Sequence, residues 1–452
     1  MVAVGAVSIG FAPAKAGSAR YSDHHEVGAK GRRLSWPSKH AVAIEPPAEA
    51  SPVDANRECG TRVTETTTQR EPNRLENLLL GTSINRVPSL IPGVALAAVV
   101  VVAAVVIADA VNSILGLKGL VSFILVAIVL GMLVRNTIGL SDVFAPGVTF
   151  CLKKLLRLGI ILLGIRLSIV DVLEIGVYGI PIVVGAVLTG LVVATIATRR
   201  LGLPERLGTL IAIGTAICGA TAIVAAAPGI RAKEEEVTYA IANITVFGIA
   251  AMLLYPFLGN LIFGGDVVEV GLFLGTSIHE TAQVAGAGLI YDQSFNVTAS
   301  PSAADIAIVS KLVRNVLMIV VIPAITYVYV RRQREQGEEL GERTSILDML
   351  PVFILGFLAM AIFRSIGDAG VESNGTAFGI WGAEAWDDLV HAIRTAAEYC
   401  LAMAMAAVGL GTSFNQLKGL GFKPFLVGIA AAVSVGAVSI VLVFLFAPLI
   451  SV

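Results

Sequence analysis

The sequence predicts an all-α polytopic membrane protein with about eleven transmembrane helices behind a polar N-terminal tail. Three observations carry this reading. The chain of 452 residues is 56% hydrophobic and only 14% charged, whereas a soluble domain carries about 25% charge. Its mean hydropathy is +0.83. The charges are also unevenly placed, because residues 1–90 hold 20 of the 65 and the remaining 362 residues hold 45. So apolar a body cannot present a soluble surface. A net charge of -1 argues against a nucleic-acid binder. Cys59, Cys151, Cys218 and Cys400 lie far apart without CxxC spacing, so neither a zinc site nor a disulfide framework is expected.

Residues 1–88 are rich in Ala, Ser, Thr, Pro and Glu and keep no helical or strand period. Such a segment cannot bury a core and reads as a disordered cytoplasmic tail before a transmembrane domain at 89–452. Its apolar start lacks a basic n-region, so a cleaved signal peptide is not expected.

A membrane helix needs about 20 largely apolar residues. Eleven segments qualify, at approximately 91–108, 117–135, 149–168, 177–198, 206–229, 236–263, 267–290, 303–330, 347–366, 389–413 and 424–450. They are continuous apolar runs without period-2 alternation, which excludes a β-barrel pattern. Eleven spans put thirteen loop cations on the N-terminal side (Arg70, Arg74, Arg86, Arg135, Arg199, Arg200, Arg206, Arg331, Arg332, Arg334, Arg343, Lys418, Lys423). Five lie on the other side (Lys118, Arg166, Arg231, Lys233, Arg364). The excess places the N-terminus in the cytoplasm and the C-terminus outside.

Ionisable residues inside spans usually face a cavity or a partner. Four groups qualify: Lys153, Lys154 and Arg157; His279 and Glu280; Lys311, Arg314 and Asn315; and Arg394 with Glu398, four residues apart and able to pair. Snorkelling at a span end is the plainer account of Lys153 and Arg394. It fits Arg157, Arg314 and Glu280 less well, a turn or more inside. The pair His279-Glu280 is not a zinc-protease motif, because the fourth residue after His279 is Gln283 rather than a second His. No serine elbow accompanies it. An enzyme is not expected, nor is a metal or other cofactor.

Gly214-Thr215-Ala216-Ile217 in the fifth segment is echoed by Gly275-Thr276-Ser277-Ile278 in the seventh. Runs this rich in Gly and Thr can unwind in mid-membrane, and an unwound helix offers N–H groups to anions at a half-helix N-terminus. Close packing of small residues is the alternative. With one span between them, these two copies are expected to run parallel. A second echo, Lys154-Leu155-Leu156-Arg157 with Lys311-Leu312-Val313-Arg314, lies five spans apart and predicts an inverted repeat. A third links Gly164-Ile165-Arg166-Leu167-Ser168 to Gly409-Leu410-Gly411-Thr412-Ser413.

The stretches Leu156 to Ser168, Gly214 to Ile223, Ser277 to Val284 and Lys311 to Asn315 resemble the sulfate exporter family of bacterial membrane proteins. The resemblance covers about residues 90–450. It implies a place in the cation/proton antiporter and anion transporter superfamily, with inverted repeats and two crossing discontinuous helices in a core domain beside a scaffold domain. It also implies the inner (plasma) membrane and allows a homo-oligomer. Where the family pattern has Thr after Leu312, this chain has Val313, which removes one hydroxyl. The long tail has no counterpart in the family's compact form.

Together these readings give an expected secondary transporter of a small inorganic or organic anion, such as sulfate or a sulfonate, working by alternating access. Arg157 and Arg314 would neutralise the anion, guided by Lys154 and Lys311. Thr215, Gly219, Thr221, Thr276, Ser277, Thr281 and Asn315 would line the site. His279, Glu280 and Glu398 would carry a coupling proton. The rival class, a cation/proton antiporter, calls for an embedded carboxylate pair without a fixed cationic cluster. A non-transporting membrane sensor calls for a folded soluble domain.

Overall fold

The computed structural model describes residues 84–115, 121–335, 352–413 and 422–450. The expected disordered tail falls outside these residues except for a short 3-10 helix, Ile84–Ser89. The rest is almost entirely helical, with one two-stranded ribbon (Thr376–Ala377 with Trp381–Gly382).

In chain order the helices are α1 (Ile91–Leu115), α2 (Phe123–Thr137), α3 (Ala145–Phe150), α4 (Leu156–Leu163), α5 (Ile169–Leu201), α6 (Glu205–Ala216), α7 (Ala220–Ala226) and α8 (Glu234–Phe263). There follow α9 (Val267–Ser277), α10 (Thr281–Ser294), α11 (Ala303–Val316), α12 (Met318–Glu335), α13 (Val352–Asn374), α14 (Ala383–Gly411) and α15 (Phe422–Phe446). A π-helical turn, Cys151–Leu155, joins α3 to α4, and a 3-10 turn, Gly164–Arg166, ends α4. The boundaries follow local chemistry. Ser122 caps α2, and Ser168 with Asp171 and Ser302 with Asp305 form capping boxes on α5 and α11. Each cap satisfies N–H groups that a first turn leaves without partners.

Among the described residues, seven helices are long and apolar enough to cross a membrane: α1, α5, α8, α11 with α12, α13, α14 and α15. These coincide with seven of the eleven segments expected from hydropathy. The second segment is the shorter α2, and the third is α3 and α4 joined through the π turn.

The fifth and seventh segments are a correction, because neither crosses the bundle. Each is a helical hairpin that turns halfway and returns. In the first hairpin, Gly214 of α6 packs against Ile223 of α7, and Gly219 N–H closes the turn on Gly214 O at 3.0 Å. The chain beyond α7 lies beside the start of α6, since Ile230 shares one apolar cluster with Leu207 and Tyr329. In the second hairpin, Gly271 of α9 and Gly288 of α10 both pack against the first turn of α11. Asp292, near the end of α10, accepts hydrogen bonds there from Ala303 N (3.1 Å) and Ala304 N (3.2 Å). Strand-like parity gives an independent check. The helices α8 and α15 run parallel, with Asn243 against Pro424 O and Gly436 against Tyr255. A full crossing by the second hairpin, which lies between them in the chain, would have made them antiparallel. The helix α5 runs antiparallel to α15, with Gly185 against Leu442 and Gly190 against Val435, and hence antiparallel to α8, which a full crossing by the first hairpin would have reversed. The hairpins therefore enter from opposite ends, one from the end where α5 finishes and the other from the end where α11 begins.

Two groups of helices pack mainly within themselves. One holds α1, α2, α4, α13 and α14; the other holds α5 to α11 and α15. Small residues permit the close approaches, as at Gly131 against Ala406 and at Gly159 against Leu401. Many large apolar side chains, such as Val99, Leu188, Leu254 and Val433, face outward.

Candidate functional site

The site is built where the hairpin tips meet. The first tip, Ile217 to Gly219, is possible because Gly219 takes φ 72° and ψ -128°, a region essentially reserved for glycine. The second tip, Ile278 to Glu280, is extended at both ends of the break. The tips touch: a Cβ on Gly219 would lie 3.4 Å from the Cβ of Glu280.

A helix end leaves its last carbonyls without partners. Here α6 and α9 both end inside the protein, pointing at one another, and α11 supplies two cations to their carbonyls. Lys311 Nζ donates to Ile217 O (2.9 Å), Ile278 O (2.9 Å) and His279 O (2.5 Å). Arg314 donates through Nε to Ala216 O (2.7 Å), through Nη1 to Thr276 O (2.9 Å) and Ile278 O (3.2 Å), and through Nη2 to Thr215 O. Both side chains are fully buried. The cations satisfy the orphan acceptors and oppose the partial negative charge of two helix C-termini, about half a charge each. Lys311 and Arg314 thus clip one hairpin to the other.

The Gly-Thr-x-Ile echo acquires a meaning in this arrangement. Thr215 O and Thr276 O both bind Arg314, and Ile217 O and Ile278 O both bind Lys311. The two copies occupy matching places in hairpins of opposite direction, so the parallel arrangement expected for them is corrected to an antiparallel one.

Other residues read from the sequence fall into three sets. Asn315 and Thr281 come together at the start of α10, Asn315 Nδ2 donating to Thr281 Oγ1 at 3.1 Å. Glu280 is half-buried beside them, and Thr221 is exposed on α7. His279 is buried, and its Nδ1 has no hydrogen-bond partner among the described residues. A second set has its donors engaged elsewhere. Thr276 Oγ1 donates to Leu272 O (2.7 Å) and Ser277 Oγ to Phe273 O (2.5 Å), so these hydroxyls face back along α9. The guanidinium of Arg314, expected as a fork for an oxyanion, is held by four carbonyls. The third set lies apart. Arg157 is exposed on α4, which packs against α13 and α14 rather than on the hairpins, and Lys154 is half-buried on the π turn before it. Glu398, expected to pair with Arg394, stands 3.5 Å from Arg166 Nη1.

One functional-looking cluster was not apparent in the sequence. Arg166, counted there as a loop cation, lies with its Nε 3.2 Å from the buried carboxylate of Asp305 at the start of α11. Nothing about residues so distant in sequence announces their pairing. The capping pattern Ser302-x-x-Asp305 was the signal available for one half of it.

An apolar helical body holding two half-length hairpins on a buried cationic clip defines a multi-pass membrane protein. A family described as conserved hypothetical protein 698 matches residues 92–428, and the chain belongs to that family, whose members carry the name UPF0324 membrane proteins. It is 32% identical over 326 residues to a UPF0324 membrane protein of Bacillus anthracis, covering 71% of this chain and 86% of the relative. It is 32% identical to one of Bacteroides thetaiotaomicron over 68% of this chain and 84% of the relative. It is 31% identical to the UPF0324 inner membrane protein YeiH of Escherichia coli K12, over 68% of this chain and 81% of that protein.

Proposed function

We propose that the protein is a secondary transporter of a small anion, such as sulfate or a sulfonate, exported across the inner membrane by alternating access. The observation that carries this reading is the charge balance at the hairpin tips. Lys311 and Arg314 place two buried cations there, and Glu280 is the carboxylate at the contact. The half-charges of two inward-facing C-termini and two inward-facing N-termini cancel to first order. The clip therefore leaves the region positive, and a mobile anion restores neutrality at the point where the chain unwinds. The N-terminus of α10, with Thr281 and Asn315, provides hydrogen-bond donors beside it.

In this reading the positive field comes from Arg314 and Lys311, while direct contact falls to Thr281, Asn315 and the first N–H groups of α10. Glu280 and His279 are the groups placed to exchange a coupling proton. The two helix groups are the bodies that move, in an inverted-repeat arrangement of hairpins. Folding the hairpins back also changes the loop ledger. Arg231 and Lys233 join the N-terminal side, giving fifteen loop cations against Lys118, Arg166 and Arg364. That supports a cytoplasmic N-terminus and an outside C-terminus more firmly than eleven crossings did.

The test is flux of labelled sulfate and of an organic sulfonate in proteoliposomes. Asn315→Ala and Thr281→Ala are expected to lower flux about tenfold or more, the scale of a lost hydrogen bond to a charged group. Glu280→Gln is expected to abolish the effect of a pH gradient. Flux that is absent for every anion tried, or that is untouched by all three variants, overturns the reading. A cation/proton exchanger is the second reading, favoured by the carboxylate of Glu280 at the tip contact. It predicts sodium- or potassium-driven proton movement that Glu280→Gln removes and anions do not affect.

A further inference from the structure

The cations at the hairpin tips spend their own donors on the protein. An ammonium has three N–H groups and a guanidinium five. Lys311 gives all three of its own to Ile217 O, Ile278 O and His279 O. Arg314 makes four bonds, to Ala216 O, Thr276 O, Ile278 O and Thr215 O. The hydroxyls of Thr276 and Ser277 donate back into α9. These groups set a positive field, but they are not free to grip a ligand.

The free groups lie at the start of α10. Glu280, its N-cap residue, makes no side-chain capping bond, so the N–H groups of the first turn have no acceptor within the helix or its cap. Glu280 and Thr281 are half-buried, and the amide of Asn315 stands one hydrogen bond further in. Asn315 is 2% exposed, and its Nδ2 donates to Thr281 Oγ1 at 3.1 Å. Its Oδ1 is buried and has no hydrogen-bond partner among the described residues. A buried amide oxygen of this kind calls for a donor. The Glu280 carboxylate is a second acceptor at the same turn.

This turn therefore sets N–H donors beside oxygen acceptors. A fully deprotonated oxyanion satisfies the donors and places a lone pair against the Asn315 oxygen. An oxyanion that keeps a proton satisfies both. Its charged oxygens accept from the first N–H groups of α10, and its O–H donates to Asn315 Oδ1.

We infer that the anion carried is one that retains a proton, of the hydrogen phosphate, hydrogen sulfite or bicarbonate type, and that Asn315 Oδ1 is the acceptor that selects it. This rests on the transporter reading and narrows its substrate class. A site built around a fixed acceptor discriminates, because an analogue without the hydrogen leaves that acceptor unpaired.

The experiment compares anions matched in shape and charge that differ by one proton. Hydrogen phosphate and sulfate are both tetrahedral dianions in mildly alkaline buffer, and labelled flux of each is measured in proteoliposomes of the full chain. Hydrogen phosphate is expected to move at least about tenfold faster, the scale of one buried acceptor left unpaired. Bicarbonate and nitrate, both planar and singly charged, are compared as competitors of that flux, and bicarbonate should compete at the lower concentration. Asn315→Ala removes the acceptor, so the two members of each pair should become equal. Asn315→Asp keeps an acceptor and should keep the order. Sulfate moving as fast as hydrogen phosphate, or nitrate competing as well as bicarbonate, overturns the inference and leaves the transporter reading.

Melting midpoints in detergent separate the two ideas where flux is absent. A midpoint raised more by hydrogen phosphate than by sulfate, with the difference lost in Asn315→Ala, keeps the selective site and removes the transporter. Equal midpoints without flux overturn both. Elution as a single species on size exclusion shows that each variant is folded, and where one is not, the preference of the unaltered chain decides the inference.

Discussion

Gly219 faces Glu280 where two helical hairpins from opposite ends of the protein touch at their tips. The backbone of Gly219 cannot readily accept another residue. Gly219 holds φ 72° and ψ -128°, which a side chain opposes by about 1–3 kcal/mol. A Cβ there also comes within 3.4 Å of both Glu280 and Ile244. Gly219→Ala is expected to lower thermal stability in detergent by that order. An unchanged melting midpoint would mean the first tip is not fixed in this conformation.

The clip makes a sharper prediction. Arg314→Ala leaves the carbonyls of Thr215, Ala216 and Thr276 without their side-chain donor, while Ile278 O keeps Lys311, and each buried group left unpaired costs about 1–3 kcal/mol. The tip should open far more often. Cys218 reports this, being a free buried thiol in the first tip. Its maleimide labelling rate, followed by intact-mass spectrometry, is expected to rise at least about tenfold in Arg314→Ala, since 1.4 kcal/mol already corresponds to tenfold. Arg314→Lys should fall between, because one ammonium cannot span carbonyls on both hairpins as the planar fork does. Equal labelling in all three proteins would show that the cation does not hold the tips.

How much of this could be read beforehand depended on which physical signal carried it. Hydropathy located seven long helices because length and apolarity are what a span requires. It misread 206–229 and 267–290 because an apolar run of crossing length looks the same when folded in half. Direction is settled by contacts such as Gly288 with Ala304, which no window average contains. The Gly-Thr-x-Ile echo correctly marked both unwound segments, and Lys311 and Arg314 stood out as ionisable residues inside a span. Their partners were misjudged because main-chain carbonyls have no signature in a sequence. An arginine in an apolar span invites an anionic ligand by charge, and the carbonyls of two interrupted helices are an equally good answer. Arg166 and Asp305 escaped notice for the same reason as any distant pair.

Packing of the second hairpin on α11 can be tested at Gly288. A Cβ at that position would meet Ala304 Cα at 2.5 Å, a backbone atom that cannot swing aside. Overpacking of this kind costs about 1–3 kcal/mol. Gly288→Ala is expected to lower the melting midpoint, whereas Gly382→Ala, with open space around the added carbon, should leave it unchanged. Equal midpoints for both would argue that α10 does not return along α11.

The fold-back itself is decided by sidedness. If the first hairpin returns, Lys233, just before α8, lies on the same side as Arg200, at the end of α5. If it crosses, the two lie on opposite sides. The second hairpin gives the complementary pair: Asn296, after α10, should share a side with Gly265, before α9. Single cysteines at 200, 233, 265 and 296, each introduced into the chain without native exposed thiols, can be probed in intact cells with a membrane-impermeant maleimide. Positions 296 and 265 are expected to label from outside, and positions 200 and 233 only after permeabilisation. This expectation rests on the orientation proposed above from the excess of loop cations on the side of Arg200 and Lys233. Labelling of 233 from outside with 200 protected would restore the crossing helices. Opposite labelling of 265 and 296 would do so for the second segment alone, and would leave Lys311 clipping a hairpin to a crossing helix.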